Sequence, residues 1–248
     1  PEITETSFRG KHKWLGGAKD SHGCIYGIPS HSKQLICLSP ENDVNENVGK
    51  YNYEVHTLPL PPSIANGKFK WLRGIIAHDY LYGIPAWSSS GVLKVNLKLW
   101  RRYRSLVSAH HRQDVTAVIP RIEDIVSVLP LPLPSPSSSR WQWHGASLNS
   151  NSTAIYCIPS NAHSVLKVHL SKSQTSYLPI HTSSQQLMEK EENNDEDEKE
   201  NQELQHLIHE QTNKWYGGIL GLDDAIYGIP YAASGVLRID PGTDYAEM

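Results

Sequence analysis

The chain has 248 residues, enough to bury a core, and its 38% apolar and 20% charged composition excludes collagen-like and wholly disordered chains. Its formal charge of -3 is unevenly spread: residues 189–203 carry nine carboxylates and two lysines, and the other 21 basic and 17 acidic side chains leave a mild positive excess. That excess falls short of the clustered basic face that nucleic-acid binding needs, and no apolar run reaches the ~18 residues of a membrane span. Three cysteines, Cys24, Cys37 and Cys157, make neither a disulfide framework nor a CxxC zinc pair, so a reducing, intracellular compartment is expected.

Along the chain, one unit repeats four times. It reads KWLGGAKDSHGCIYGIPSHSKQLICLSP at 13–40, then KWLRGIIAHDYLYGIPAWSSSGVLKVNL at 70–97. A more diverged copy, WQWHGASLNSNSTAIYCIPSNAHSVLKVHL, fills 141–170, and KWYGGILGLDDAIYGIPYAASGVLRIDP fills 214–241. The anchoring tryptophans Trp14, Trp71, Trp143 and Trp215 are 57, 72 and 72 residues apart. Their distances to Tyr26, Tyr82, Tyr156 and Tyr227 are 12, 11, 13 and 12 residues, so rigid structure lies inside the unit and insertions lie outside it.

Each copy contains three short runs of aromatic and β-branched residues parted by turn formers, the pattern of consecutive strands. A fourth run follows at Tyr53–Leu60, Ile122–Leu129 and Thr175–Ile180. Four strands per repeat predict an all-β fold, a β-propeller of four-stranded blades over about 13–60, 70–130, 141–180 and 214–248, in one domain spanning 1–248. The last copy reaches Met248 without a clear fourth strand, and residues 2–8 (EITETSF) are expected to complete it. Complementary ends of this kind predict a closed, monomeric four-bladed ring, and the rival is four blades of a larger propeller.

The tandem order KWxGG, IYGIP, VLxIDP resembles repeat proteins of microbial eukaryotes that look like kelch-like β-propellers. The resemblance covers all four copies and departs from the pattern at His144, Cys157, Ser39 and Asn96. It implies the fold and carries over no catalytic residue.

Glycines recur just after each Trp, where close backbone approach is expected, and Pro29, Pro85, Pro159 and Pro230 are expected to end the second strand. Lys94, Lys167 and Arg238 share one slot of the third strand, held by Cys37 in the first copy; they read as edge cations or as a partial cationic ring.

The loop after IYGIP varies between copies while the framework does not. It gathers His31, Ser32, Trp87, Ser88, Asn161, His163 and Tyr231 onto one face, where a protein or a small polar ligand is expected to bind. The insert at 181–211 holds the acidic run, read as a solvated loop. The other insert, 98–121, also reads as a solvated loop, although Arg101, Arg102 and Arg104 interleaved with aromatics could touch nucleic acid. His206 and His209 lack a third ligand, so no metal or other cofactor is expected. No G-x-S-x-G elbow, nucleotide fingerprint or H-E-x-x-H is present. A non-catalytic binding module is the expected function, and a propeller hydrolase or lactonase with a site at the channel mouth is the alternative.

Overall fold

The computed structural model describes residues 9–40, 53–87, 91–110, 117–133, 140–182 and 211–248. They fall into two compact units, Pro1–Leu129 and Pro130–Met248.

A local backbone device recurs in all four copies. The residue two places before each Trp sits in the left-handed region: His12 at φ 56°, Phe69 at 48°, Trp141 at 58° and Asn213 at 55°. That kink turns the next carbonyl towards the loop that follows the second strand. Lys13 O accepts the Ser30 and Ser32 N–H groups, and Lys70 O accepts that of Ala86. Gln142 O takes Ser160 and Ala162, and Lys214 O takes Tyr231 and Ala233. Each indole then donates to a carbonyl at the start of the third strand or one or two residues before it: Trp14 to Gln34 O, Trp71 to Gly91 O, Trp143 to Ser164 O and Trp215 to Gly235 O, all at 2.9–3.0 Å. The large apolar ring packs while its one polar atom is satisfied, which is what a buried Trp requires.

In the first unit, β1 (Trp14–Lys19), β2 (Ile25–Pro29), β3 (Gln34–Pro40) and β4 (Tyr53–Pro59) form one antiparallel sheet in chain order. After the short α1 (Pro62–Ala65), β5 (Trp71–Ala77), β6 (Tyr80–Pro85), β7 (Val92–Asn96) and β8 (Val126–Leu129) form a second. The expected fourth run at 122–129 is only half strand: Ile122–Ile125 is a helical turn, α3, leading into β8. Residues expected to be a solvated loop instead include the 14-residue helix α2 (Leu97–His110). Asn96, where the repeat pattern has Asp, caps it by accepting the Leu99 N–H at 3.0 Å. Trp100 is buried with its ring 5.2 Å from that of Tyr26.

In the second unit, β9 (Trp143–Leu148), β10 (Ala154–Pro159), β11 (Ser164–His169) and β12 (Gln174–His181) run antiparallel, as do β13 (Trp215–Leu220), β14 (Ile226–Pro230), β15 (Leu237–Asp240) and β16 (Tyr245–Glu247). The last copy therefore has its own fourth strand, contrary to expectation; residues 2–8 lie outside the described residues. The expectation of four separate four-stranded blades is also corrected. The third and fourth copies share one eight-stranded sheet, because β16 pairs in parallel with the end of β12 through Ile180–Ala246 and His181–Glu247. All four expected prolines do end their second strands.

The recurring glycines have two separate jobs. At the second position after Trp, Gly16, Arg73, Gly145 and Gly217 all have positive φ and sit in a bulge of the first strand. At the third position, Gly74 leaves a notch that the Ile28 side chain of the preceding repeat fills, and Gly218 does the same for Ile158. A Cβ on either glycine would lie 2.6 Å from that isoleucine. Each unit's core is built around this contact, Ile28 with Leu81 and Trp71 in the first and Ile158 with Ile226 and Trp215 in the second.

Candidate functional site

Because the clamp of each copy is made by main-chain atoms, the side chains of the left-handed residue and of the following loop are left to form a surface. In the first unit they meet. The His31 ring lies 4.3 Å edge-on from Phe69, Phe69 lies 4.6 Å from Trp87, and His12 lies 5.4 Å from both His31 and Phe69. Two of these rings, His31 and Trp87, were expected on this face. His12 and Phe69 were not, and the signal that could have found them is that the residue two places before the repeated Trp varies between copies while the Trp does not.

Desolvation, followed by the positive field of His12, Lys68 and Lys70, lowers the pKa of His31 below the usual imidazole range, so the ring is neutral near pH 7. Its Nε2 is buried without a hydrogen bond among the described residues, as is Ser30 Oγ. Beneath the cluster, Lys70 is buried and donates from Nζ to Ser30 O and Ser32 O, both at 3.0 Å. Burial, with a smaller contribution from Lys33, brings its pKa down to about 8. Ser32 faces its own loop, its Oγ accepting the Gln34 N–H.

In the second unit Tyr231 stacks on Tyr216 at 4.5 Å and 7°, and Tyr216 stacks on His144 at 4.1 Å and 14°. Tyr231 is 68% exposed, so its ring presents a free flat surface. Asn161 serves a structural end: its Nδ2 donates to Arg140 O, and its Oδ1 accepts the Asn213 N–H, both at 2.6 Å. Lys214, at 0% exposure, donates to Gln211 O, and burial lowers its pKa to about 8. His163 is exposed on the same loop as Asn161. Ser88 lies outside the described residues, as do His206, His209 and the acidic run.

The slot of the third strand also has an explanation. Opposite it in register stand Tyr26, Tyr82, Tyr156 and Tyr227. In three copies the Tyr hydroxyl donates to a carboxylate: Tyr26 to Asp20 at 2.9 Å, Tyr156 to Asp244 at 2.8 Å and Tyr227 to Asp223 at 2.7 Å. Lys167 pairs with Asp244 and Arg238 with Asp223. The first copy has Cys37 in the slot, and its cation comes from α2: Arg101 reaches Asp20 at 3.4 Å and Asp79 at 2.7 Å. In the second copy Lys94 lies over the Tyr80 ring at 4.3 Å. Of the basic residues considered for nucleic acid, Arg101 is thus held by two of the protein's own carboxylates, Arg104 points Nη1 towards Cys37 Sγ at 3.7 Å, and Arg102 is exposed.

The three cysteines are free and buried. Among the described residues no group of three or more His, Cys, Asp or Glu is placed to hold a metal ion, and no helix is long and apolar enough to cross a membrane.

No protein-family model and no curated protein matches the chain. Solved structures do match it. Virginiamycin B lyase from Staphylococcus aureus aligns with a TM-score of 0.54 and 11% identity, over 94% of this chain and 54% of that one. A streptogramin B lyase structure gives 0.51 and 11%, over 93% and 52%. At these identities the likeness concerns the fold alone: the chain is an all-β protein with a β-propeller-like fold. It spans about half the length of the structures it matches.

Proposed function

We propose that the chain is a non-catalytic binding module of propeller type, with the loop face that follows the second strands as its recognition surface. The observation that carries this reading is the gathering of rings about the variable loops, His12, His31, Phe69 and Trp87 in one unit and, in the other, Tyr231 stacked on the first-strand rings Tyr216 and His144. Flat faces of this kind suit a ligand that is polar at its edge and apolar on its face, or a protein loop with the same character.

Saturation-transfer NMR against a panel of neutral sugars, nucleosides and short peptides tests it. A binder should lose its signal when Trp87→Ala and Tyr231→Ala are introduced, with circular dichroism unchanged. Binding that survives both substitutions refutes the assignment to this face. The second reading, a propeller hydrolase or lyase, rests on the names of the fold neighbours. Consumption of a streptogramin B followed by mass spectrometry would favour it, and an unchanged substrate peak under prolonged incubation would remove it.

A further inference from the structure

Counted over the whole chain, charge is nearly balanced, but the first unit sorts it by end. The strands run so that the residues before β1, the loops after β2 and β6 and the linker before β5 lie at one end, with the rings of His12, His31, Phe69 and Trp87. Arg9, Lys11, Lys33 and Lys68 are exposed there, and Lys70 is buried beneath them. Among the described residues that end carries no Asp or Glu. The carboxylates Asp20, Glu54, Asp79, Glu123 and Asp124 stand at the other end of the strands. There Asp20 and Asp79 meet Arg101, Glu54 meets His56 and Asp124 meets Arg121.

The cations and the rings form one patch. His31 stands in the positive field of His12, Lys68 and Lys70, and Lys70 in that of Lys33. Lys68 and Lys70 flank Phe69 in the chain, and Lys11 precedes His12. Like charges gathered without a carboxylate repel one another, and an anion seated among them relieves that cost.

We infer, resting on the reading of this loop face as a recognition surface, that its ligand in the first unit joins a planar ring to an anionic group, which is the chemistry of a nucleotide. The base stacks against the rings while its phosphate lies among Lys11, Lys33 and Lys68. A simple phosphate answers the cations alone, and a neutral sugar answers the rings alone. A free nucleotide and one unit of a single strand share the chemistry the patch recognises.

Calorimetric titration of the chain with adenosine and uridine monophosphates, the two nucleosides and ribose phosphate is the test. The nucleotides should bind about tenfold tighter than either fragment, and more weakly as salt rises from about 20 to 200 mM. Lys11→Gln combined with Lys68→Gln, both at exposed side chains, should weaken the nucleotides about tenfold and leave the nucleosides unchanged, whereas Trp87→Ala should weaken both. A short single-stranded oligodeoxyadenylate that binds tighter than the mononucleotide, with a steeper salt dependence, assigns the patch to a strand; one that binds no tighter assigns it to the free nucleotide. Nucleosides that bind as tightly as nucleotides, and lose binding in Trp87→Ala, leave the recognition face in place and overturn the anionic ligand. Ribose phosphate as tight as the nucleotides, or binding by none of the set, overturns the inference too, and the neutral panel then decides the face by itself.

Discussion

The bulge after each Trp offers a comparison between two positive-φ glycines, Gly145 at 109° and Gly217 at 78°, whose packing differs sharply. Gly145 and Gly217 occupy equivalent positions of successive repeats and both have positive φ. A Cβ on Gly145 would lie 2.7 Å from Gly217 Cα, whereas a Cβ on Gly217 would meet nothing within 4 Å. Gly217→Ala therefore adds only the left-handed penalty of about 1–2 kcal/mol, reduced by the lower entropy of the unfolded chain. Gly145→Ala adds a main-chain overlap as well, since carbon atoms pack best at about 3.5–4.0 Å. Moving β9 away from β13 to relieve it costs a further ~1–3 kcal/mol, as other overpacked sites do. The first unit repeats the asymmetry: a Cβ on Gly16 would sit 2.8 Å from Arg73 Cα, and Arg73 is itself a residue with a side chain at φ 69°. Urea unfolding at constant m-value should show Gly145→Ala well below Gly217→Ala in midpoint, with Gly16→Ala behaving like the former. Equal losses for Gly145→Ala and Gly217→Ala would refute the packing explanation.

Lys214 has a folded pKa of about 8 against an unfolded value near 10.4, so the unfolded chain binds more protons between those values and stability should rise with pH there. Melting temperatures from pH 7.5 to 9.5 should show a smaller rise in Lys214→Met than in the wild type; an identical slope would count against a desolvated ammonium. Tyr156→Phe removes a charge-assisted hydrogen bond to Asp244 and should cost about 1 kcal/mol, and combined with Asp244→Asn the losses should fall short of additive. Strict additivity in thermal unfolding would show that the two side chains are not coupled. Burial raises the pKa of the Cys157 thiol and pushes that of Cys37 up to about 12, so Ellman's reagent should react with no thiol of the native protein and with all three in urea. Rapid labelling of the folded chain would contradict the closed cores.

Much of the architecture is legible in the sequence because the repeat lets each copy vouch for the others. The Trp-to-Tyr spacing marks the first two strands, and the prolines mark where the second ends. The sharing of one sheet by the third and fourth copies is not legible, because it rests on two residue pairs between β12 and a three-residue β16 whose Tyr-Ala-Glu has no strand signature of length. Helix α2 was readable in principle: Leu97, Trp100, Tyr103 and Val107 fall at helical spacing, but the intervening arginines invite a loop or nucleic-acid interpretation. On the candidate face, His31, Trp87 and Tyr231 could be found from the variable loops. Phe69 and His12 could not be found that way, since their place depends on a positive φ that neither residue type announces.

That left-handed kink has a consequence for how such a surface can change. The four positions that a glycine would occupy at least cost hold His12, Phe69, Trp141 and Asn213 instead, and each gives its main-chain carbonyl to a main-chain N–H of the loop after the second strand. Nothing in the clamp reads the identity of the side chain it displays. The rings can therefore be exchanged one at a time while the sheet beneath stays as it is, and a lineage of such repeats can take on new partners by rewriting its rim without refolding its core.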